Sequence, residues 1–353
     1  MKLFTVGPVM MFQENLVNAG KQLPYFRTSE FSEVSLDSER LLKKFVNSGP
    51  NSKVVFLTAS GTGAMDAAVL STFTHKDKLL VINGGGFGKR FEEICSVYGI
   101  PCDTLCLKFG ETLDFEKLKP YQNKGYSGLL VNLDETSTGQ LYSLELLSTF
   151  CRTEEMVFVV DAISAFLADP IDFDRYGIDI LITSSQKALS LAPGISIMIL
   201  SDKVYSERIS INPPKSYYFD LNRYVTDQKR GQTPFTPAVG ILLDLNVRLH
   251  MVDKTGVNFE INRVKGLAEY FRARAQDIGL NIPSYPLSNA VTPVFFENGG
   301  AKKIFEQLRS EYDLTVTPSG GELSDKLLRV GHLGNLIVDD YDLLISAFKE
   351  ILL

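Results

Sequence analysis

Between about residues 50 and 200 the chain repeats one unit, an apolar run of strand length followed by a longer amphipathic stretch. The strand candidates are Val54–Thr58, Leu79–Asn83, Thr104–Leu107, Leu129–Leu133, Val157–Asp161, Ile178–Thr183 and Ile195–Leu200. Several are apolar on consecutive residues, the pattern of strands buried on both faces. The spacing predicts helices over Gly63–Phe73, Lys89–Tyr98, Leu144–Cys151 and Asp172–Tyr176. Strand and helix in repeated alternation predict an α/β fold with a mostly parallel, doubly wound sheet. Ligands of such sheets bind at the carboxyl ends of the strands, so chemistry is sought in the residues just after each strand.

The pattern changes after about residue 235. Long helical stretches at Pro237–Val252 and Val257–Ile278 precede shorter strand candidates at Val291–Phe296, Leu314–Pro318 and Leu327–Val330. Helices are expected at Ala301–Tyr312 and Asp339–Leu352. This is an α+β layout, and 353 residues suffice for two cores. The expected division is an N-terminal segment over 1–14, a large domain over 15–240 and a smaller C-terminal domain over 241–353.

Composition narrows the function classes. A net charge of −6 with no basic run argues against a nucleic-acid surface. No apolar stretch approaches the ~20 residues of a membrane span, and the first residues lack the apolar core of a signal peptide, so a cytoplasmic location is expected. The four cysteines, Cys95, Cys102, Cys106 and Cys151, form no C-x-x-C pair, and the three histidines are far apart. A thiol–zinc or histidine cluster is therefore not expected, and a cofactor is the better source of chemistry.

Four segments stand where a ligand would bind. Lys187, in Ser184-Ser185-Gln186-Lys187-Ala188, follows a buried strand; a desolvated lysine has a lowered pKa and a nucleophilic amine. A solvated surface lysine is the bland alternative. Asp161 ends another buried strand, where a carboxylate is costly without a cationic partner such as a protonated pyridine nitrogen. A helix cap or magnesium ligand is its bland alternative. Ser60-Gly61-Thr62-Gly63 follows the first strand and suits an anion at a helix N-terminus, or a plain cap. Asn83-Gly84-Gly85-Gly86-Phe87-Gly88 fails the G-x-G-x-x-G dinucleotide pattern, because Lys89 and Phe91 occupy its sixth position. Phe87 is then either a core residue or an aromatic that stacks on a flat heterocycle.

These segments, with Asp134-Glu135-Thr136-Ser137-Thr138-Gly139, Asp161-Ala162-Ile163-Ser164, Pro193-Gly194 and Arg329-Val330-Gly331-His332, resemble the class V aminotransferases among fold-type-I pyridoxal-phosphate enzymes. The nearest branch looks like the alanine/serine–glyoxylate and 2-aminoethylphosphonate–pyruvate aminotransferases. The resemblance implies pyridoxal 5'-phosphate as cofactor. It also implies transfer of an amino group from an amino acid or aminophosphonate to a small 2-oxo acid such as pyruvate or glyoxylate. It gives Lys187 the Schiff base and proton shuttle, and Asp161 the pyridinium. Phe87 and Ile163 take the two ring faces, and Thr136 the phenolic oxygen. Ser60, Gly61, Thr62 and Gln186 take the phosphate, and Arg329 the substrate carboxylate. Gly7 and Arg27 would line the substrate region. Thr236 would reach the phosphate of a neighbouring subunit, which implies a homodimer with shared sites.

The chain departs from that pattern at Phe26, where many relatives have histidine, at Thr233, often bulkier, and at Phe87, elsewhere tryptophan or tyrosine. Two other classes compete. A lyase such as a cysteine desulfurase on the same fold would generally carry histidine before the lysine, where this chain has Gln186, and a thiol in its second half, where no cysteine follows Cys151. A non-enzymatic binding module leaves Asp161, Lys187 and Arg329 without a joint reason.

Overall fold

The computed structural model describes residues 1–352. Its main sheet has seven strands in the order Lys53–Leu57, Ser196–Leu200, Ile180–Ser184, Val157–Asp161, Gly128–Asn132, Leu79–Asn83 and Cys102–Cys106. Ser196–Leu200 is antiparallel to both neighbours, and the other pairings are parallel. The sheet is thus mostly parallel, as the consecutive apolar runs predict. The four strands from Gly128–Asn132 to Ser196–Leu200 are buried at every position.

Alternate residues of each strand feed two separate cores, the consequence of a side-chain period of two. On one face Phe56, Ile82, Val131, Phe158, Val160 and Ile197 pack with the helices Ser29–Phe45, Leu144–Thr153 and Val239–Thr255. On the other, Val55, Val81, Leu130, Val159, Ile182 and Met198 pack with Gly61–Thr72 and Gly86–Val97. A helix on each face leaves only the strand ends open to a ligand.

The smaller sheet is antiparallel, with Leu327–Gly331 between Val291–Phe295 and Thr317–Pro318. Helices Val257–Asp277, Ala301–Glu311 and Val338–Leu352 close its core around Phe271, Leu328, Tyr341 and Phe348. The N-terminal strand Lys2–Leu3 pairs in parallel with Leu314–Thr315, and Phe4 is fully buried in this third core.

Several details differ from the sequence reading, among them the strand expected at Thr104–Leu107, which runs over Cys102–Cys106, and the unexpected helices Gln13–Ala19 and Leu221–Gln228. The helix Ser29–Phe45, capped by Thr28, was not expected, because buried Ser35 and Ser38 interrupt its apolar stripe. The expected strand Leu314–Pro318 is two short strands serving different partners. The helix Val239–Thr255 sends Leu242, Leu245 and Leu249 into the core of the large sheet, although the expected boundary at 240/241 puts it in the smaller domain. Among the described residues no helix is long and apolar enough to cross a membrane, and no group of three or more His, Cys, Asp or Glu could hold a metal ion.

Candidate active site

Three neighbouring strand ends build the site. Asn132 and Asp161 are register partners on adjacent parallel strands, and Asp161 in turn stands beside Ile182. The Asp161 carboxylate accepts hydrogen bonds from the Ile163 backbone amide, at 2.8 Å, and from the Asn132 side-chain amide. Burial nevertheless pushes this carboxyl up to about 6, against the opposing pull of those donors and of Lys187. A cationic group placed against it would bring it down again.

Lys187 lies on the turn between Ile180–Ser184 and Ser196–Leu200. That turn is fixed by its own bonds: Ser185 Oγ donates to the Ala192 carbonyl at 2.7 Å, the Leu191 amide donates to the Ser185 carbonyl at 2.9 Å, and Ser190 adopts φ +59°. Only 8 % of Lys187 is exposed. Burial is the main cause that brings its ammonium down to about 8; Arg329 and Arg90 act in the same direction, while Asp134 and Asp161 oppose it. The N-terminal segment closes over this side chain at Gly7. A Cβ there would stand 2.7 Å from Lys187 Cδ and 3.1 Å from Nζ, and φ is +143°, so glycine alone fits.

At the opposite end the helix Gly61–Thr72 points its N-terminus at the cavity. Ser60 occupies the cap position, but its side chain makes no capping bond; its carbonyl accepts from the Gly63 and Ala64 amides, which leaves the Gly61 and Thr62 amides for an anion. A Cβ at Gly61 would meet Ile163 Cδ1 at 2.4 Å, which keeps that backbone bare and close. Thr62 Oγ1 accepts a hydrogen bond from Arg90 at 2.9 Å. Arg90 also lies over the Phe87 ring, 4.8 Å from its centre. Phe87 is held by Glu135, whose carboxylate accepts from the Phe87 and Gly88 amides at the N-terminus of Gly86–Val97. Gln186 Oε1 accepts a short hydrogen bond from Ser184, which orients its amide.

One cavity of about 150 Å³ joins these groups. Of the residues singled out in the sequence it is lined by Gly7, Ser60, Gly61, Thr62, Phe87, Thr136, Asp161, Ile163, Gln186 and Lys187. It also takes in Arg90, Asp134 and Ser164, to which the sequence reading gave no role. Asp134 and Ser164 sit inside the D-E-T-S-T-G and D-A-I-S segments, so their placement was readable there. Larger grooves exist, one of about 680 Å³ near Lys44 and Phe259, but no comparable set of buried ionisable groups converges in it.

Three singled-out residues lie outside the cavity lining. Arg329 donates to the carbonyls of Thr136 and Pro318, at 2.9 and 2.8 Å, and its Nε is buried without a partner. Asp325, four residues away, accepts instead from the Gly300 and Lys302 amides. Arg27 donates to Gln232 and to the Thr233 carbonyl, away from the cavity. Thr236 is exposed on a loop of the large domain.

The residues present fit pyridoxal phosphate. A free helix N-terminus suits the phosphate, a buried carboxylate suits the ring nitrogen, and a buried amine of lowered pKa suits an aldehyde. Asn132 Oδ1 and Arg329 Nε are buried polar atoms that lack any partner within the protein.

The comparisons agree with this geometry. A family model described as aminotransferase class-V matches residues 12–310. A protein of Synechococcus sp. named as the small subunit of a soluble hydrogenase is 28% identical over 99% of this chain and 92% of its own length. An uncharacterized aminotransferase of Methanocaldococcus jannaschii is 30% identical over 94% of this chain and 87% of its own. Among solved structures, the aspartate aminotransferase of subgroup IV from Thermus thermophilus has a TM-score of 0.91 at 26% identity, covering 100% of this chain and 99% of that one.

Proposed function

This chain belongs to the class-V aminotransferase family, its reaction is transamination, and we propose that pyridoxal phosphate anchored on Lys187 carries it out. The observation that carries this reading is the meeting of two buried strand-end groups, Asp161 and Lys187, with a free helix N-terminus in one cavity. Bound there, pyridoxal phosphate supplies an aldehyde that condenses with primary amines and a ring that takes up the electron pair left when a substrate Cα loses its proton. The residues of the chain do the rest. The amides of Gly61 and Thr62, with Ser60 and Gln186, hold the phosphate. Phe87 and Ile163 confine the ring from two sides, and Thr136 meets its phenolic oxygen. Asp161 keeps the ring nitrogen protonated. Lys187 Nζ first fixes the cofactor and, once released, moves the substrate proton. Gly7 lets the N-terminal segment close over Lys187 and exclude water.

The donor in this proposal is an α-amino acid and the acceptor a small 2-oxo acid such as pyruvate or glyoxylate. Arg329 offers a planar two-pronged donor to their shared carboxylate. Its present partners are uncharged carbonyls, which an anion outcompetes. Thr236, exposed beside Phe235, belongs to the face that a second copy of the chain covers, consistent with a homodimer; Tyr218 stacks on Phe235 there and Tyr217 packs against it at a tilt. Two features weigh against a desulfurase reading: Gln186 before the lysine, and the lack of cysteine after Cys151.

The test is direct. Protein incubated with pyridoxal phosphate should absorb visible light, and borohydride should fix the cofactor on one peptide. Mass spectrometry placing the adduct on any lysine other than Lys187 would overturn the assignment. Arg329→Lys keeps the charge and loses the fork. It should weaken donor and acceptor binding by ~1.5–3 kcal/mol, about ten- to a hundredfold, with an unchanged cofactor spectrum. A concentration series of the half-reaction with alanine reads this, and an unaltered dissociation constant removes Arg329 from the substrate site.

A further inference from the structure

His332 closes the Arg329-Val330-Gly331-His332 segment, and the proposed reaction gives it no part. It is fully buried, as are Thr292 and Tyr341 beside it. Its two ring nitrogens face those two hydroxyls: Nε2 lies 2.8 Å from Thr292 Oγ1, and Nδ1 lies 3.0 Å from Tyr341 Oη. The network continues at both ends. Arg272 Nε donates to Thr292 Oγ1 at 2.9 Å, and Tyr341 Oη donates to the Gly331 carbonyl at 3.0 Å.

These contacts fix where each hydrogen sits. The His332 amide donates to the Ala290 carbonyl, so by the alternation of an antiparallel ladder Gly331 and its register partner Val291 form an unbonded pair. The backbone groups of Gly331 therefore face away from Val291, and its carbonyl takes a hydrogen from Tyr341 instead. A phenol has one hydrogen, so Tyr341 Oη accepts from His332, and Nδ1 carries the imidazole proton. Nε2 is then the acceptor for the Thr292 hydroxyl, whose oxygen already receives Arg272. An imidazolium would leave the Thr292 hydrogen without an acceptor and add a second cation to the network. Burial and then Arg272 hold His332 well below the usual histidine range, in accord with a neutral ring.

We propose that His332, held neutral with its hydrogen on Nδ1, is a positioning residue for the substrate clamp and for the cover over Lys187. The inference rests on the reading of Arg329 as the carboxylate clamp. The strand Leu327–Gly331 carries both parts. Arg329 stands two residues before Gly331, and its register partner Thr317 accepts a hydrogen bond from the Val6 amide at 3.1 Å. The Gly331 amide donates to the Phe4 carbonyl at 2.7 Å, and a Cβ at Gly331 would collide with the Thr5 carbonyl. The Phe4 ring meets Tyr341 edge-on, with 5.2 Å between ring centres. Residues 4–6 are thus mounted on the strands that carry Arg329, and the next residue is Gly7, which closes over Lys187. The network runs from Arg272 on the helix Val257–Asp277, through Thr292 and His332 in and beside the sheet, to Tyr341 on the helix Val338–Leu352. It ties the end of the Arg329 strand to a helix on either side. Asp161 and Lys187, on the large sheet, take no part in it.

The proton position is read directly. In protein labelled with ¹⁵N-histidine, with His332→Asn to identify the resonances, His332 should show a neutral ring bearing its hydrogen on Nδ1 at neutral pH. A hydrogen on Nε2, or on both nitrogens, overturns the proposal. The positioning is read in the half-reaction of the cofactor-loaded enzyme with alanine. Tyr341→Phe removes one hydroxyl and frees both the Gly331 carbonyl and His332 Nδ1; His332→Leu removes both ring bonds. Each should raise the dissociation constant for alanine about two- to tenfold, the scale of one neutral hydrogen bond, with the cofactor spectrum unchanged and the borohydride adduct still on Lys187. The double variant should lose little more than either single one, since both break the same link. His332→Asn keeps a donor where Nδ1 stands and should recover most of what His332→Leu loses. A lower melting temperature with an unaltered alanine constant in Tyr341→Phe makes the network structural only and overturns the proposal, whether or not His332→Leu folds. So does an Asn variant that behaves like Leu. The two readings separate: an unaltered constant in Arg329→Lys defeats the clamp and this role with it, whereas a constant raised in Arg329→Lys but not in Tyr341→Phe defeats only the role of His332.

Discussion

Lys187→Ala is expected to fold, to lose covalent retention of pyridoxal phosphate, and to lose turnover by more than the ~10²–10⁴ that a positioned acid–base group contributes. The loss exceeds that range because one amine both anchors the cofactor and moves the substrate proton. The fold should survive, since the change removes a buried ammonium and no hydrogen bond that organises the turn; those bonds run through Ser185, Ser190 and Leu191. A pH signature accompanies the variant. Burial lowers the folded-state value to about 8 from an ordinary 10.5. Between those values the unfolded chain binds a proton that the folded chain does not, so cofactor-free wild type gains stability as pH rises through that window. Lys187→Ala should show a flatter dependence there. Denaturant titrations from pH 7.5 to 10.5, with turnover assays, check both parts. Retained turnover, or a slope equal to wild type, counts against the assignment.

Asp161→Ala should slow the half-reaction with an amino donor by two to three powers of ten, the scale on which one preorganised charge in a water-poor site acts. Cofactor retention should fall far less, because the phosphate is held at the other end of the cavity and Lys187 still anchors the aldehyde. The variant frees the Ile163 amide and the Asn132 side-chain amide, both of which now point at the carboxylate. Asp161→Asn is the companion change that keeps the shape and removes only the charge. If stopped-flow half-reaction rates in both variants remain near wild type, the ring nitrogen has no charged partner at Asp161.

Legibility differed by kind of residue. Val157–Asp161 and Leu79–Asn83 were read from sequence with the bounds they have in the fold, because continuous apolar runs have few alternatives at that length. The Ser29–Phe45 helix escaped, since serines at core positions break its apolar stripe; Ser38 Oγ is satisfied one turn back at the Val34 carbonyl, but Ser35 Oγ only by Gln228, from a distant part of the chain. Ten of the residues singled out line the cavity, as strand-end position predicts for a doubly wound sheet. Arg27, Arg329 and Thr236 do not: Arg27 and Arg329 spend their guanidinium donors on Gln232 and on backbone carbonyls, and Thr236 sits on an exposed loop.

Local sequence by itself determined which segments become strands and helices, and it set Asp161 and Lys187 at strand ends, because side-chain period and chain connectivity act over a few residues. What it could not determine is which groups remain unpaired once everything is packed. Arg329 reads like a strand residue until its Nε is found buried without a partner. Whether a polar group is satisfied depends on donors and acceptors brought from distant parts of the chain, in surroundings too poor in water to supply a substitute, and only the tertiary structure decides that.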